Sequence, residues 1–117
     1  MDNSILRDKS FKFALRTIKL SKYLQNTHKE YILSKQILRS GTSVGALIRE
    51  AQYAQSKADF LHKLTIALKE ANETEYWLLL LFESDYLDKK MFNSIYPEIK
   101  ELLKLLISST KTVKAYK

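Results

Sequence analysis

Four groups of residues in this 117-residue chain have types and spacings that could do chemistry. Asp59 and His62 stand three apart, which on a helix puts a carboxylate and an imidazole on one face, as in a dimetal bundle. Such a centre needs a second Glu-x-x-His and further carboxylates. The other histidine, His28, has no acid at that spacing, so the pair reads as a capping Asp59 beside a surface His62. Ser40 or Ser43 with either histidine would make a nucleophile and base, but with no third group to orient them. The third group is Arg39-Ser40-Gly41-Thr42-Ser43-Val44-Gly45-Ala46, which holds both glycines of the chain. As a loop it could cradle a phosphate on backbone amides, although it lacks the Lys-Ser/Thr ending of a Walker motif. The fourth is a basic ridge, Lys9, Lys12, Arg16 and Lys19, at spacings of 3, 4 and 3, with Phe11, Phe13 and Tyr23 interleaved. A ridge of that kind neutralises phosphates in a salt-sensitive, largely sequence-independent way, and Arg49 is a lesser candidate for the same work.

The elements that position these groups follow from composition and phase. Two glycines and one proline are too few for the turns of a β-sandwich or barrel, so the chain reads as all-α. No cysteine is present, which excludes disulfides and thiolate zinc sites and fits a reducing compartment. The N-terminus has no apolar signal-peptide core, and the longest apolar run, residues 76–82, is too short to cross a bilayer. A cytoplasmic protein with no membrane partner is expected. The net charge of +7 lies entirely in residues 1–58, which hold 11 Lys/Arg against 4 Asp/Glu; residues 59–117 hold 9 of each. That asymmetry suggests one side facing a polyanion.

Leu33, Ile37, Val44, Leu47, Ile48 and Ala51 fall within a sector about 100° wide at 100° per residue, with Ser40 inside it. A loop would reset this phase, so the glycines lie inside one helix. Glycine there costs about 0.5–1 kcal/mol relative to alanine, and the pair implies a close contact, either with a large side chain such as Trp77 or with a neighbouring backbone. Arg39, Ser43, Ala46 and Glu50 form a line on the flank of this stripe. Glu70 and Glu73 sit beside Trp77 on the next helix, so an Arg39–Glu pair would set the register between the two. Glu73 is also spaced for a local pair with Lys69.

Four helices are predicted, at about 4–24, 29–54, 57–84 and 88–114, in one up-down-up-down antiparallel bundle domain. Asn3 or Ser4, Thr27, Ser56 with Asp59, and Asp88 are the expected caps. Pro97 predicts a kink or break near residues 93–96, and residues 111–117 are expected to fray. The first helix carries two apolar faces, Phe11–Ala14–Leu15–Ile18 and Leu6–Phe13–Leu20–Leu24. One packs inside the bundle, and the other calls for a partner, most simply a second copy of the chain.

The segment Arg39 to Ala46 followed by Glu50-Ala51 resembles the second-helix signature of bacterial four-helix-bundle proteins, the 23S rRNA intervening-sequence-encoded proteins. The run Asp59-Phe60-Leu61-His62-Lys63-Leu64, continuing with Ile66 to Leu78, is similar to that family's second signature. The resemblance makes Arg39, Ser40, Gly41, Ser43, Gly45, Glu50, Glu70, Glu73 and Trp77 structural signature positions. It implies an antiparallel bundle that assembles into a ring-shaped homopentamer. It also implies kinship with the accessory protein of diversity-generating retroelements, a basic ring that binds nucleic acid and reverse transcriptase. Many members carry Asn after Gly-Ala and a small residue two positions later; here Leu47 and Arg49 stand there, so a role resting on that asparagine does not carry over.

The sequence therefore leads to a non-enzymatic, basic, oligomeric protein that binds RNA or DNA, with no catalytic residue, metal, cofactor or small-molecule substrate. The alternative is an adaptor that docks a protein, such as a reverse transcriptase, without touching nucleic acid itself.

Overall fold

The computed structural model describes residues 4–115, and Asn3 as a possible cap lies outside them. The chain folds into four helices: α1 (Ser4–His28), α2 (Leu33–Gln52), α3 (Lys57–Glu83) and α4 (Lys89–Ala115). Connections of four or five residues force each helix to turn back on its predecessor. Each helix touches its two neighbours around a square, with α1 closing against α4. A helix of 27 residues spans about 40 Å at 1.5 Å per residue, which accounts for the 47 Å long axis.

Helix ends are set by local polar chemistry. α1 runs four residues past Leu24, so Asn26, Thr27 and His28 are helical and Thr27 caps nothing. The chain leaves the helix at Lys29, whose φ of 54° is left-handed. The cap for α2 comes from Glu30, whose carboxylate accepts from the backbone N–H of Ile32, Leu33 and Ser34 at 2.7–3.2 Å. A carboxylate at a helix N-terminus meets both the orphan donors and the helix dipole. Ser56 caps α3 through the Asp59 N–H at 3.0 Å, and Asp59 accepts in return from Gln55 N–H at 3.2 Å. α3 ends in a Schellman arrangement, with Asp85 at φ 67° and the Tyr86 N–H bonded to the Leu81 carbonyl at 2.9 Å. Asp88 opens α4 by accepting from Met91 N–H at 2.8 Å.

The predicted break at Pro97 is absent: α4 continues through it to Ala115, with no fraying through that residue. Pro97 sits on the exposed face, where the carbonyl that loses its donor belongs to exposed Asn93, while Ile95 and Ile99 stay buried on the core side. The core of α1 is the Leu6–Phe13–Leu20–Leu24 face, and Phe11, Leu15 and Ile18 of the other face are 59%, 47% and 36% exposed. On α2, Ile37, Val44, Ile48 and Ala51 are buried, with Leu33 and Leu47 half-buried beside them. α3 contributes Leu64, Ala67, Ala71, Leu78 and Leu81; α4 contributes Phe92, Ile95, Ile99, Leu102, Leu103 and Leu106. Ile107, next to Leu106, is exposed.

Candidate nucleic-acid interface

α1 packs differently on its two sides, and this determines what its basic ridge can do. Toward α2 the seam is made of small residues. A Cβ added to Gly45 would lie 3.3 Å from the Ser10 backbone carbonyl oxygen. One added to Gly41 would lie 3.0 Å from Thr17 Oγ1 and 3.1 Å from Thr17 Cβ, and closer still to Cγ2. The glycines are thus spacers that admit α1, and Trp77 is not their partner. Thr17 is fully buried and donates to the Phe13 and Ala14 carbonyls at 3.1 and 2.8 Å. Ser10 and Ser21 donate to the carbonyls of Arg7 and Ser34, each at 3.1 Å. Their polar character hid them from a search for apolar stripes.

The signature positions form a second structural group. Arg39 donates to Glu70 at 3.0 Å and forms a short ion pair with Glu73, which also accepts from the Trp77 indole at 2.9 Å. This is the register-setting pair foreseen between α2 and α3, and it takes Glu73 away from Lys69. Thr74 donates to buried Ser40 at 2.9 Å, Ser43 returns a hydrogen bond to the Arg39 carbonyl at 2.6 Å, and Lys63 pairs with Glu50 at 3.0 Å. With these partners, Ser40 and Ser43 are structural hydroxyls. Among the described residues no three His, Cys, Asp or Glu side chains converge as a metal site would require.

Toward α4 the seam is open and charged. The basic ridge does not stand alone there, because α4 brings two acids to it. Lys9 pairs with Glu101 at 3.1 Å. Arg16 forms a short ion pair with Glu98 and donates to the Ser94 carbonyl and hydroxyl, both at 2.9 Å. Half of the predicted ridge is therefore spent on holding α1 to α4. Among the described residues no ion pair engages Lys12, Lys19, Lys90 or Arg49.

Those cations border two grooves. One, of about 540 Å³, lies over the glycine seam and is lined by Phe11, Ala14 and Ala46, with Arg7, Lys12 and Arg49 around it and Asp8 as its one acid. The other, of about 530 Å³, lies between α1 and the start of α4. Leu20, Leu87, Met91 and Ile95 form its apolar floor, Tyr23 one wall, and Arg16, Lys19 and Lys90 its cationic rim. Lys90 was missed from the sequence, where it sits in the half of the chain whose charges balance; only the antiparallel return of α4 brings it to the same groove as Lys19.

No described helix is long and apolar enough to cross a membrane. Among curated proteins no match is found. A solved structure of a Bacteroides thetaiotaomicron protein of unknown function, from the S23 ribosomal protein family, is 56% identical. It superposes with a TM-score of 0.92 over 95% of this chain and 99% of its own. The family model for the 23S rRNA-intervening sequence protein matches residues 2–108, which takes in the glycine seam, the Arg39 cluster and both edges of α1. By that match over nearly its whole length, the chain belongs to the 23S rRNA-intervening sequence protein family.

Proposed function

We propose that this protein is a non-catalytic cytoplasmic assembly that binds RNA or DNA by contacts to phosphate. The observation that carries the reading is the set Lys12, Lys19, Arg49 and Lys90, which form no ion pair among the described residues, although Lys12 shares a cleft with Glu98 and Glu101, and which gather on the two edges of α1. Lys9 and Arg16 take a secondary part, since a phosphate must compete with Glu101 and Glu98 for them. The exposed Phe11–Leu15–Ile18 face supplies the contact between copies, in a ring of the kind the family resemblance implies.

Binding to mixed-sequence RNA and DNA, measured by fluorescence anisotropy across a salt series, tests this. A phosphate-driven complex loses affinity linearly on log–log axes, and each lost phosphate contact lowers that slope by about one. The double charge reversal Lys12→Glu with Lys19→Glu is expected to lower the slope by about two and to weaken RNA and DNA alike. An unchanged slope and affinity would remove these lysines from the interface. A protein partner that stays bound after nuclease treatment, with no measurable nucleic-acid affinity, would replace the reading with that of an adaptor.

A further inference from the structure

The groove between α1 and α4 has a composition that phosphate contacts alone do not call for. Its floor is apolar, from Leu20, Leu87, Met91 and Ile95, and no carboxylate lines it. Its one aromatic lining residue is Tyr23, which meets His28 edge to face with centroids 5.3 Å apart, and His28 meets Tyr86 in the same way at 5.3 Å. The Tyr23 hydroxyl and His28 Nε2 are hydrogen-bonded at 3.1 Å, which fixes His28 although it is exposed. Glu98 is paired with Arg16 of the rim, and Asp88 accepts from the first turn of α4. An occupant matched to this site is anionic at its edges and flat and apolar in the middle.

We infer that this groove receives an unstacked base of a single-stranded nucleic acid, with Lys19 and Lys90 on the phosphates to either side. The inference rests on the nucleic-acid reading above and goes beyond it by naming the strand form and the base-binding surface. Double helices hide base faces in their stacks and present a continuous phosphate wall, whereas a single strand can turn a base into an apolar slot beside aromatic rings. The groove, about 530 Å³, is large enough to take one nucleotide.

The test compares three probes at one salt concentration: a labelled mixed-sequence 12-mer RNA, the same 12-mer with abasic residues, and its duplex. The abasic strand keeps every phosphate and loses the groups that would enter the groove. The intact single strand is expected to bind roughly tenfold more tightly than the abasic one and more tightly than the duplex. Tyr23→Leu, which keeps apolar volume, is expected to erase the advantage over the abasic strand while leaving the salt slope unchanged. Lys90→Gln, a surface change that tests the site without touching the core, is expected to lower that slope by about one. Equal binding of intact and abasic strands overturns the inference and leaves phosphate binding standing. Binding unmoved by both Tyr23→Leu and Lys90→Gln also overturns it, and is the outcome if the groove instead takes an acidic segment of a protein. Failure of all three probes to bind removes the underlying reading along with it.

Discussion

Replacing Gly41 by alanine sets two effects of known size against each other. Alanine in place of glycine inside a helix gains about 0.5–1 kcal/mol. Against this, the new Cβ would stand 3.1 Å from Thr17 Cβ and 3.0 Å from its Oγ1, inside ordinary contact distance. Turning the threonine side chain gives no relief, because its own Cβ is among the crowding atoms and its hydroxyl is held by two carbonyls. The two helices must then separate, and overpacking of this kind costs about 1–3 kcal/mol. The net expectation for Gly41→Ala is a loss of about 1 kcal/mol, or a fall in Tm of roughly 3–6 °C for a chain of this size. Urea and thermal unfolding at one fixed protein concentration measure it, since an assembly ties stability to concentration.

A double-mutant cycle isolates the cause. Thr17→Ala removes the two nearest atoms, Cγ2 and Oγ1, and leaves only Cβ at 3.1 Å, so Gly41→Ala introduced into that background should cost clearly less than in the parent. The coupling between the two changes is then a part of the overpacking cost, about 1 kcal/mol in favour of the pair. Additive effects, or a Gly41→Ala protein more stable than the parent, would refute the close-packed seam. Gly45→Ala supplies a graded control: its Cβ would meet the Ser10 carbonyl oxygen at 3.3 Å, so its cost should be smaller.

Three other perturbations have expected signs. Glu75 is held below its usual carboxylate pKa, chiefly by the hydrogen bond that Tyr96 donates at 2.6 Å and secondarily by Lys100. A lowered folded pKa contributes stability that is present at neutral pH and lost as pH falls through it. Tyr96→Phe should therefore cost about 1 kcal/mol at pH 7, with the deficit closing as the pH drops below the ordinary carboxylate range; a deficit constant with pH would contradict this. Arg39→Ala should destabilise by at most about 1 kcal/mol, because Arg39 is 48% exposed, and chemical denaturation at low and high salt should show the difference shrinking as salt screens it. Leu15→Glu puts a charge on the exposed face of α1 and, if the proposed contact between copies lies there, should reduce the mass seen by light scattering without changing the helical circular dichroism; an unchanged mass would contradict the proposed contact.

The parts legible in the sequence were those written in apolar phase or in charge at helical spacing. The α2 stripe through Ile37, Val44, Ile48 and Ala51 is buried as its periodicity required, and Arg39 meets Glu70 and Glu73 across the seam. The glycine contact was only half legible, since its α1 side consists of Ser10 and Thr17, which read as surface until their hydroxyls are seen bonded to backbone carbonyls. Glu30 was illegible as a cap because it acts from two positions before Ile32, outside the usual cap pattern. Nor does charge counting reveal which lysines are available. Lys9 and Arg16 meet Glu101 and Glu98 through antiparallel pairing, in which the α4 number falls as the α1 number rises. Neighbours on one helix carry no trace of that.

The two seams of α1 work together. The glycine seam holds α1 at a distance from α2 set by buried backbone and short hydroxyl side chains, a contact with almost no freedom to adjust. The α4 seam is bridged by long, half-exposed Lys and Arg side chains that tolerate a change in spacing. A shift of α1 away from α2 is expected to be taken up on the α4 side, where it would change the shape of the groove lined by Tyr23 and Met91. Gly41→Ala, which touches neither groove-lining residue nor rim lysine, should consequently reduce the base-dependent part of single-strand binding while the phosphate-dependent salt slope stays the same. If affinity for the intact strand is unchanged in a variant whose stability has fallen as expected, the shape of the groove is not governed by the glycines, and the link between the signature segment and the proposed binding groove is broken.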